Sequence, residues 1–234
     1  MSAGPGGVVL RPQAREALRT VLDLLSADRT APSAVRDPEQ GWRVHVADSL
    51  IGLEVDELRA AKRIADVGAG AGFPGLPIAV ALPEARIDLL ESVTRKCEFM
   101  RRAVRDAAIQ NARIVCQRAE AWAAKPSPEG GRETYDVVVC RAVGRLATLA
   151  ELASPLLVQG GILVAWKGRR DAEEEAELER ASARLAVRRI EVRWVGPYAG
   201  SRHRHLHVMR KSGSTPAELP RRPGMAKKRP LGRQ

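Results

Sequence analysis

Aromatic residues are scarce: two Phe, two Tyr and four Trp make up 3% of 234 residues. The 44% hydrophobic content must therefore build its core mostly from Ala, Val, Leu and Ile. Cysteine is nearly absent. Cys97, Cys116 and Cys140 are odd in number and far apart, which excludes a disulfide framework and the paired spacing of a zinc site. No apolar run approaches the roughly 20 residues of a membrane-spanning helix. The start, Met1-Ser-Ala-Gly-Pro, lacks the charged-then-apolar plan of a signal peptide. These absences predict a reduced, cytoplasmic protein with no membrane partner. Acidic residues are in deficit, 28 against 39 Lys and Arg, for a formal charge of +11. That balance favours a polyanion, RNA or DNA before a lipid surface; simple solubility is the bland alternative.

What the chain does have is a glycine cluster in a telling place. Ile64-Ala-Asp-Val67 is a short apolar run, and glycines follow at 68, 70, 72 and 75 before helix-forming sequence that continues to Leu82. Strand, glycine turn, helix is the order that brings main chain close to a ligand. Two frames compete. From Gly68 the turn reads G-x-G-x-G, the pattern of S-adenosylmethionine (SAM) methyltransferases. From Gly70 it reads G-x-G-x-x-G, which satisfies the dinucleotide fingerprint. Gly68 abuts the strand, which favours SAM. Ile87-Asp-Leu-Leu-Glu91 then reads as a second strand ending in a carboxylate, about 20 residues beyond the turn, where it can accept ribose hydroxyls. Glu91 serves either nucleoside ligand, so it supports the site without choosing between them.

Around this turn the chain alternates. Two helices come first, at 12–25 and 39–53, as a cap. Strands follow at 63–67, 86–91, 113–117, 135–140 and 162–166, with helices at 74–82, 94–108, 119–122, 146–157 and 171–185 between or after them. Gly160-Gly161 is read as the end of the 146–157 helix. Segments 187–195 and 205–209 pair as an antiparallel hairpin at the sheet edge. The fold class is α/β, a Rossmann-like, mostly parallel seven-stranded sheet. The predicted organisation is a cap at 1–58, a ligand-binding domain at 59–212 and a basic tail at 213–234. Residues 1–11 are Gly/Pro-rich and expected to be loose. From Leu219 onward the tail carries Arg221, Arg222, Lys227, Lys228, Arg229 and Arg233 with no acid. It is expected to order only on a partner, so that its deletion weakens RNA binding and spares cofactor binding.

Several elements occur together in order. They are Asp66-Val-Gly-Ala-Gly-Ala-Gly-Phe-Pro-Gly75, Leu89-Leu-Glu-Ser92, Arg118-Ala-Glu120, Cys140-Arg-Ala-Val143, Ala165-Trp-Lys-Gly168, Arg204-His-Leu206 and Pro220-Arg-Arg-Pro-Gly-Met-Ala-Lys-Lys-Arg-Pro-Leu231. With Val35-Arg-Asp-Pro38 and His45-Val-Ala-Asp-Ser-Leu50, they make nearly the whole chain resemble the ribosomal RNA small subunit methyltransferase G family (RsmG, also GidB). The resemblance implies a class I SAM-dependent methyltransferase that modifies N7 of one guanine in small-subunit ribosomal RNA. Residue by residue it implies Gly68, Gly70 and Phe73 along the cofactor path, Glu91 on the ribose and Ala119 and Glu120 beside the adenine. Arg141 falls beside both cofactor and incoming base. Where the family usually has Asn-Leu-Thr, this chain reads Ala31-Pro-Ser33.

The chemistry of the residues agrees. Guanine N7 offers a lone pair at neutral pH, so methyl transfer needs alignment and exclusion of water, with no base. The end of the fourth strand, Cys140-Arg-Ala-Val143, lacks the Asp/Asn-Pro-Pro-aromatic of amino-methylating enzymes. Cys140 lacks the Pro-Cys dipeptide of a C5-cytosine nucleophile and reads as buried filler. Arg141 suits a base edge or a phosphate, or a structural ion pair. Lys167 is a candidate phosphate or base contact, and Arg95 and Lys96 could grip RNA. Arg141 and Lys167 are the catalytic candidates, by positioning rather than acid–base work. His203, His205 and His207 alternate along a predicted strand, but no fourth ligand is near, and no metal is expected. The expected partner is the small-subunit RNA or subunit, met by a monomer. A non-catalytic RNA- or SAM-binding assembly factor and a nicotinamide oxidoreductase are the competing readings; the second lacks a hydride-site His or Tyr.

Overall fold

A computed structural model describes residues 5–29 and 31–233. The chain opens with helix α1, Pro12–Ala27, whose Leu18, Val21, Leu22 and Leu25 are all buried. Their i, i+3, i+4, i+7 spacing puts them on one face. Burying each contributes about 1.5–3 kcal/mol. The second predicted helix is broken into pieces: α2 (Pro38–Gly41), a π-helical turn (Trp42–Ala47), α3 (Asp48–Leu50) and a 3-10 turn (Ile51–Glu54). α4 (Asp56–Ala60) completes the cap. Asp37 caps α2 by accepting from the Gln40 N–H.

The alternation follows as β1 (Arg63–Val67), α5 (Gly75–Ala81), β2 (Arg86–Leu90), α6 (Thr94–Asp106), β3 (Ala112–Val115), α7 (Ala119–Ala123) and β4 (Tyr135–Arg141). It continues with α8 (Leu146–Ala153), β5 (Leu157–Lys167), α9 (Ala172–Leu185), β6 (Val187–Trp194), β7 (His205–Lys211) and α10 (Met225–Lys228). The seven strands lie in the order β3-β2-β1-β4-β5-β7-β6. All neighbours are parallel up to β5; β7 pairs antiparallel with both β5 and β6. Strand order reverses between β1 and β4, and in such sheets ligands bind beyond the carboxyl ends at that switch.

One face of the sheet and the cap share a hydrophobic core: Leu18, Leu25, Val46 and Leu53 join Ile64, Leu76, Val137 and Trp166. Gly52 permits this approach, since a Cβ there would overlap the Trp166 ring. The other face packs α7, α8 and α9 through Trp122, Leu149, Leu178 and Leu185.

Three further expectations change. Gly160-Gly161 does not end a helix. α8 stops at Ala153, and β5 begins at Leu157 and runs through both glycines, because Leu157 already pairs with Tyr135 of β4. His203 stands outside β7 with φ of 52°, so only His205 and His207 share a strand face, and His207 is buried. The C-terminal segment, expected to stay unpacked, lies against the body through residue 233. Leu219, Ala226 and Leu231 are buried, and Arg221 makes a two-pronged ion pair with Glu151 (2.6 and 2.5 Å). Of the expected loose residues 1–11, the first four lie outside the described ones; Gly6 packs against the Leu50 backbone. Among the described residues no helix is long and apolar enough to cross a membrane, and no cluster of His, Cys, Asp or Glu is placed to hold a metal.

Candidate active site

The glycine turn is tied to the sheet by its own backbone. Gly68 N and Ala69 N both donate to the Leu90 carbonyl, at 2.9 and 3.1 Å. Gly68 and Gly70 have φ of 75° and 63°, the left-handed region that side chains rarely adopt. A Cβ on Gly68 would press Val143 Cγ2 at 2.7 Å, whereas one on Gly70 would meet only the Gly68 carbonyl oxygen, at 3.9 Å. Gly70 therefore faces open space. Gly75 has a different reason: a Cβ there would overlap Leu89, so it lets α5 sit tightly on β2.

Asp66, missed as a site residue, anchors this turn from below. Its Oδ2 accepts from Gly75 N at 2.8 Å, and its Oδ1 is buried without a partner. Complete burial pushes its carboxyl up to about 7, against the Gly75 hydrogen bond and the Arg141 charge, which favour the anion; the Glu91 charge adds to the rise. The signal for Asp66 was present in the sequence, an acid inside the otherwise apolar run Ile64–Val67.

Glu91, at the end of β2, is buried to 6% exposure. Oε1 accepts from Ser92 N and Val93 N (2.8 and 2.9 Å), Oε2 from Gly70 N (3.2 Å), and Lys96 Nζ lies 3.5 Å from Oε2. The carboxylate thus clamps the glycine turn and keeps lone-pair capacity for further donors. Lys96, a candidate RNA grip, is drawn toward this carboxylate.

A cavity of about 530 Å³ opens here, lined by Gly68, Glu91, Ala119, Glu120, Ala142 and Val143 among others. That lies within the roughly 300–1,000 Å³ usual for small-molecule sites. Glu120 is at its wall, but its Oε1 accepts from Gly224 N at 2.7 Å. Lys227 and Lys228 line the same cavity, which the reading of a loose tail missed.

Phe73 and Arg141 are placed elsewhere, toward the cap. Phe73 stacks on His45, ring centroids 4.6 Å apart, and the Arg141 guanidinium sits 5.7 Å from the Phe73 ring. Arg141 donates to the Val44 carbonyl (3.1 Å) and to Asp48 Oδ2 (3.0 Å), and its Nη2 lies 3.3 Å from His45 Nδ1. Arg204 Nε is 3.5 Å from Asp48 Oδ1, within ion-pair reach. Burial, then the Arg141 charge, pushes His45 down to about 4, so it is neutral at pH 7. With Nδ1 facing a guanidinium, the network assigns the proton to Nε2, which donates to Ser33 Oγ at 2.9 Å. Ser33 closes the Ala31-Pro-Ser33 departure, and its hydroxyl also accepts from Val35 N. The π-helical turn swings His45 into this position, as such turns often do at functional sites.

A second cavity, about 580 Å³, lies between the cap and the ends of β4 and β5, lined by His45, Asp48, Arg141, Trp166, Lys167 and Arg204 among others. Lys167 donates to Glu174 (2.6 Å) and to the Gly144 carbonyl (3.0 Å). Trp166 Nε1 donates to the Asp48 carbonyl, joining cap to sheet. Ala142, with φ of 58°, lines both cavities. The structure thus divides the predicted residues. Gly68, Glu91, Ala119 and Glu120 line one cavity, Arg141 and Lys167 the other, and Phe73 is packed beneath the cap.

The family profile described as rRNA small subunit methyltransferase G matches residues 26–206. Among curated relatives, a ribosomal RNA small subunit methyltransferase G from Synechococcus sp. (strain JA-3-3Ab) is 35% identical over 94% of this chain and 86% of its own. One from Pelotomaculum thermopropionicum is 40% identical over 80% of this chain and 77% of its own. Among solved structures, a predicted O-methyltransferase from Agrobacterium tumefaciens superposes with a TM-score of 0.53 at 26% identity, covering 72% of this chain and 80% of that one.

Proposed function

Since the chain belongs to the ribosomal RNA small subunit methyltransferase G family, we propose that the glycine-turn cavity holds SAM and the cap cavity receives the target guanine. The protein is a SAM-dependent methyltransferase acting on N7 of a guanine in 16S small-subunit ribosomal RNA. The observation that supports the two-cavity assignment is Ala142, a wall common to both spaces at the end of β4. A donor on one side and an acceptor on the other would meet at that residue.

The residues present fit the cofactor. Gly70 offers a bend that any side chain would fill, and Glu91 presents a buried carboxylate beside it for ribose hydroxyls. When bound, SAM supplies a methyl group on a sulfonium, already activated for transfer. What the chain supplies is alignment. N7 attack releases no proton, so a free base is not required, and two titratable groups of the cap cavity are already engaged. Asp48 is paired with Arg141, and both His45 nitrogens are engaged. Arg141 and Lys167 are the candidates for holding the guanine edge or its phosphate. Phe73, stacked on His45, buttresses the ring that faces Arg141.

We infer further that the chain works in the cytoplasm as a monomer, on the ribosomal RNA or the small subunit. The test is incubation of small subunits with the protein and tritiated SAM, then digestion to nucleosides. Label in 7-methylguanosine is expected. Label in another nucleoside overturns the position, and SAM binding without label on any ribosomal substrate overturns catalysis.

A further inference from the structure

The C-terminal segment does more than carry charge. Gly224, Ala226, Lys227 and Lys228 border the same cavity as Gly68, Glu91 and Ala119. Side-chain hydrogen bonds and an ion pair hold the segment there, with one bond inside the segment bracing it. Glu120 Oε1 accepts from Gly224 N (2.7 Å), and Thr148 Oγ1 donates to the Ala226 carbonyl (3.2 Å). Arg221 reaches both oxygens of Glu151, which is 3% exposed, and also donates to the Arg229 carbonyl (2.8 Å). Leu219 and Leu231 bury themselves on either side, against the α8–α9 face of the core.

We propose that residues 221–228 are a built outer wall of the cofactor cavity on its adenosine side, and that Glu120 is a positioning residue for that wall. This rests on the reading that the cavity holds SAM. The resemblance puts Glu120 on the adenine; the geometry points its carboxylate at the Gly224 amide. Two lysines at the rim, Lys227 and Lys228, then face the ligand and the RNA from the same four-residue helix. Deleting the segment removes part of the binding cavity, contrary to the expectation that cofactor binding survives the loss.

The experiment is calorimetric titration of 5′-methylthioadenosine and 5′-methylthioinosine, alongside SAM, into the full chain and four variants: Glu120→Ala, Glu120→Gln, Thr148→Val and a chain ending at residue 218. Glu120→Ala and Thr148→Val each remove one hydrogen bond and should weaken every ligand about fivefold. Glu120→Gln keeps a carbonyl acceptor for Gly224 and recovers most of that loss. The truncated chain should lose more than either point variant; if it does not fold, Glu120→Ala and Thr148→Val decide. Equal losses for the adenosine and inosine compounds are the mark of a positioned wall. A loss in Glu120→Ala confined to the adenosine compound would mean that the carboxylate reads the exocyclic amine, and would overturn the proposal. So would wild-type affinity in both point variants. Failure of the cofactor reading looks different: SAM would not bind the full chain, or would bind undiminished to Gly70→Val.

Discussion

Glu91→Gln tests the cofactor site at its most constrained group. The Glu91 carboxylate holds two backbone donors on Oε1, at 2.8 and 2.9 Å, and the Gly70 amide on Oε2, at 3.2 Å. A glutamine can satisfy one side only. If its oxygen keeps Ser92 and Val93, its NH₂ faces the Gly70 N–H, donor against donor, at the bend that the cofactor must approach. The charge that a ribose hydroxyl would use is also gone. Losing one hydrogen bond to a charged group costs about 1.5–3 kcal/mol, or roughly a ten- to 150-fold rise in Kd. Leaving the Gly70 amide unpaired costs about 1–3 kcal/mol of folding stability. For a chain of this size that lowers Tm by about 2–4 °C per kcal/mol. Calorimetry with SAM and S-adenosylhomocysteine reads the first effect, and a thermal melt reads the second. A variant that binds both ligands as the wild type does, with a lowered Tm, would show that Glu91 only braces the turn.

Gly68→Val should abolish SAM binding, but the structure adds a second cause. The new side chain collides with Val143 in a left-handed backbone, so a circular-dichroism melt should fall as well, by about 1–3 kcal/mol from strain alone. Arg141→Lys keeps a charge for Asp48 but loses the planar fork, so kcat in the methyl-transfer assay should drop tenfold or more while SAM Kd stays within about twofold; an unchanged kcat would remove Arg141 from the site. Asp66 holds its proton in the folded state up to about pH 7, whereas the unfolded chain releases it near 3.8. The folded state therefore binds more protons across that window, and its stability falls as pH rises from about 4 through about 7. Urea titrations across the window should show a shallower slope in Asp66→Asn, and equal slopes would contradict the assignment. Arg222→Ala with Arg229→Ala, both exposed, should weaken RNA binding and reduce the salt slope by about one per lost phosphate contact, measured by filter binding at several salt concentrations.

Local pattern was enough to read the strand–glycine–helix unit, the run of five parallel strands and the antiparallel pair. Each rests on periodicity within one segment and on glycines in a left-handed backbone that side chains rarely adopt. Gly68 and Glu91 could be marked for one site because strand ends in such a sheet converge, whereas Ala119 and Glu120 were implied only by the family resemblance. The pairing of Arg141 with Asp48, the stacking of His45 on Phe73 and the Ser33 hydroxyl that orients His45 could not be read this way. They join residues far apart in the chain, and which ones meet depends on how the cap settles over the sheet. The fate of the basic tail was hidden for the same reason. Its composition alone says that it cannot form a core, and that is true of the segment in isolation. Only the folded body supplies Glu151, Glu120 and the apolar groove that takes Leu219 and Leu231, and so turns a charged tail into part of a cavity wall.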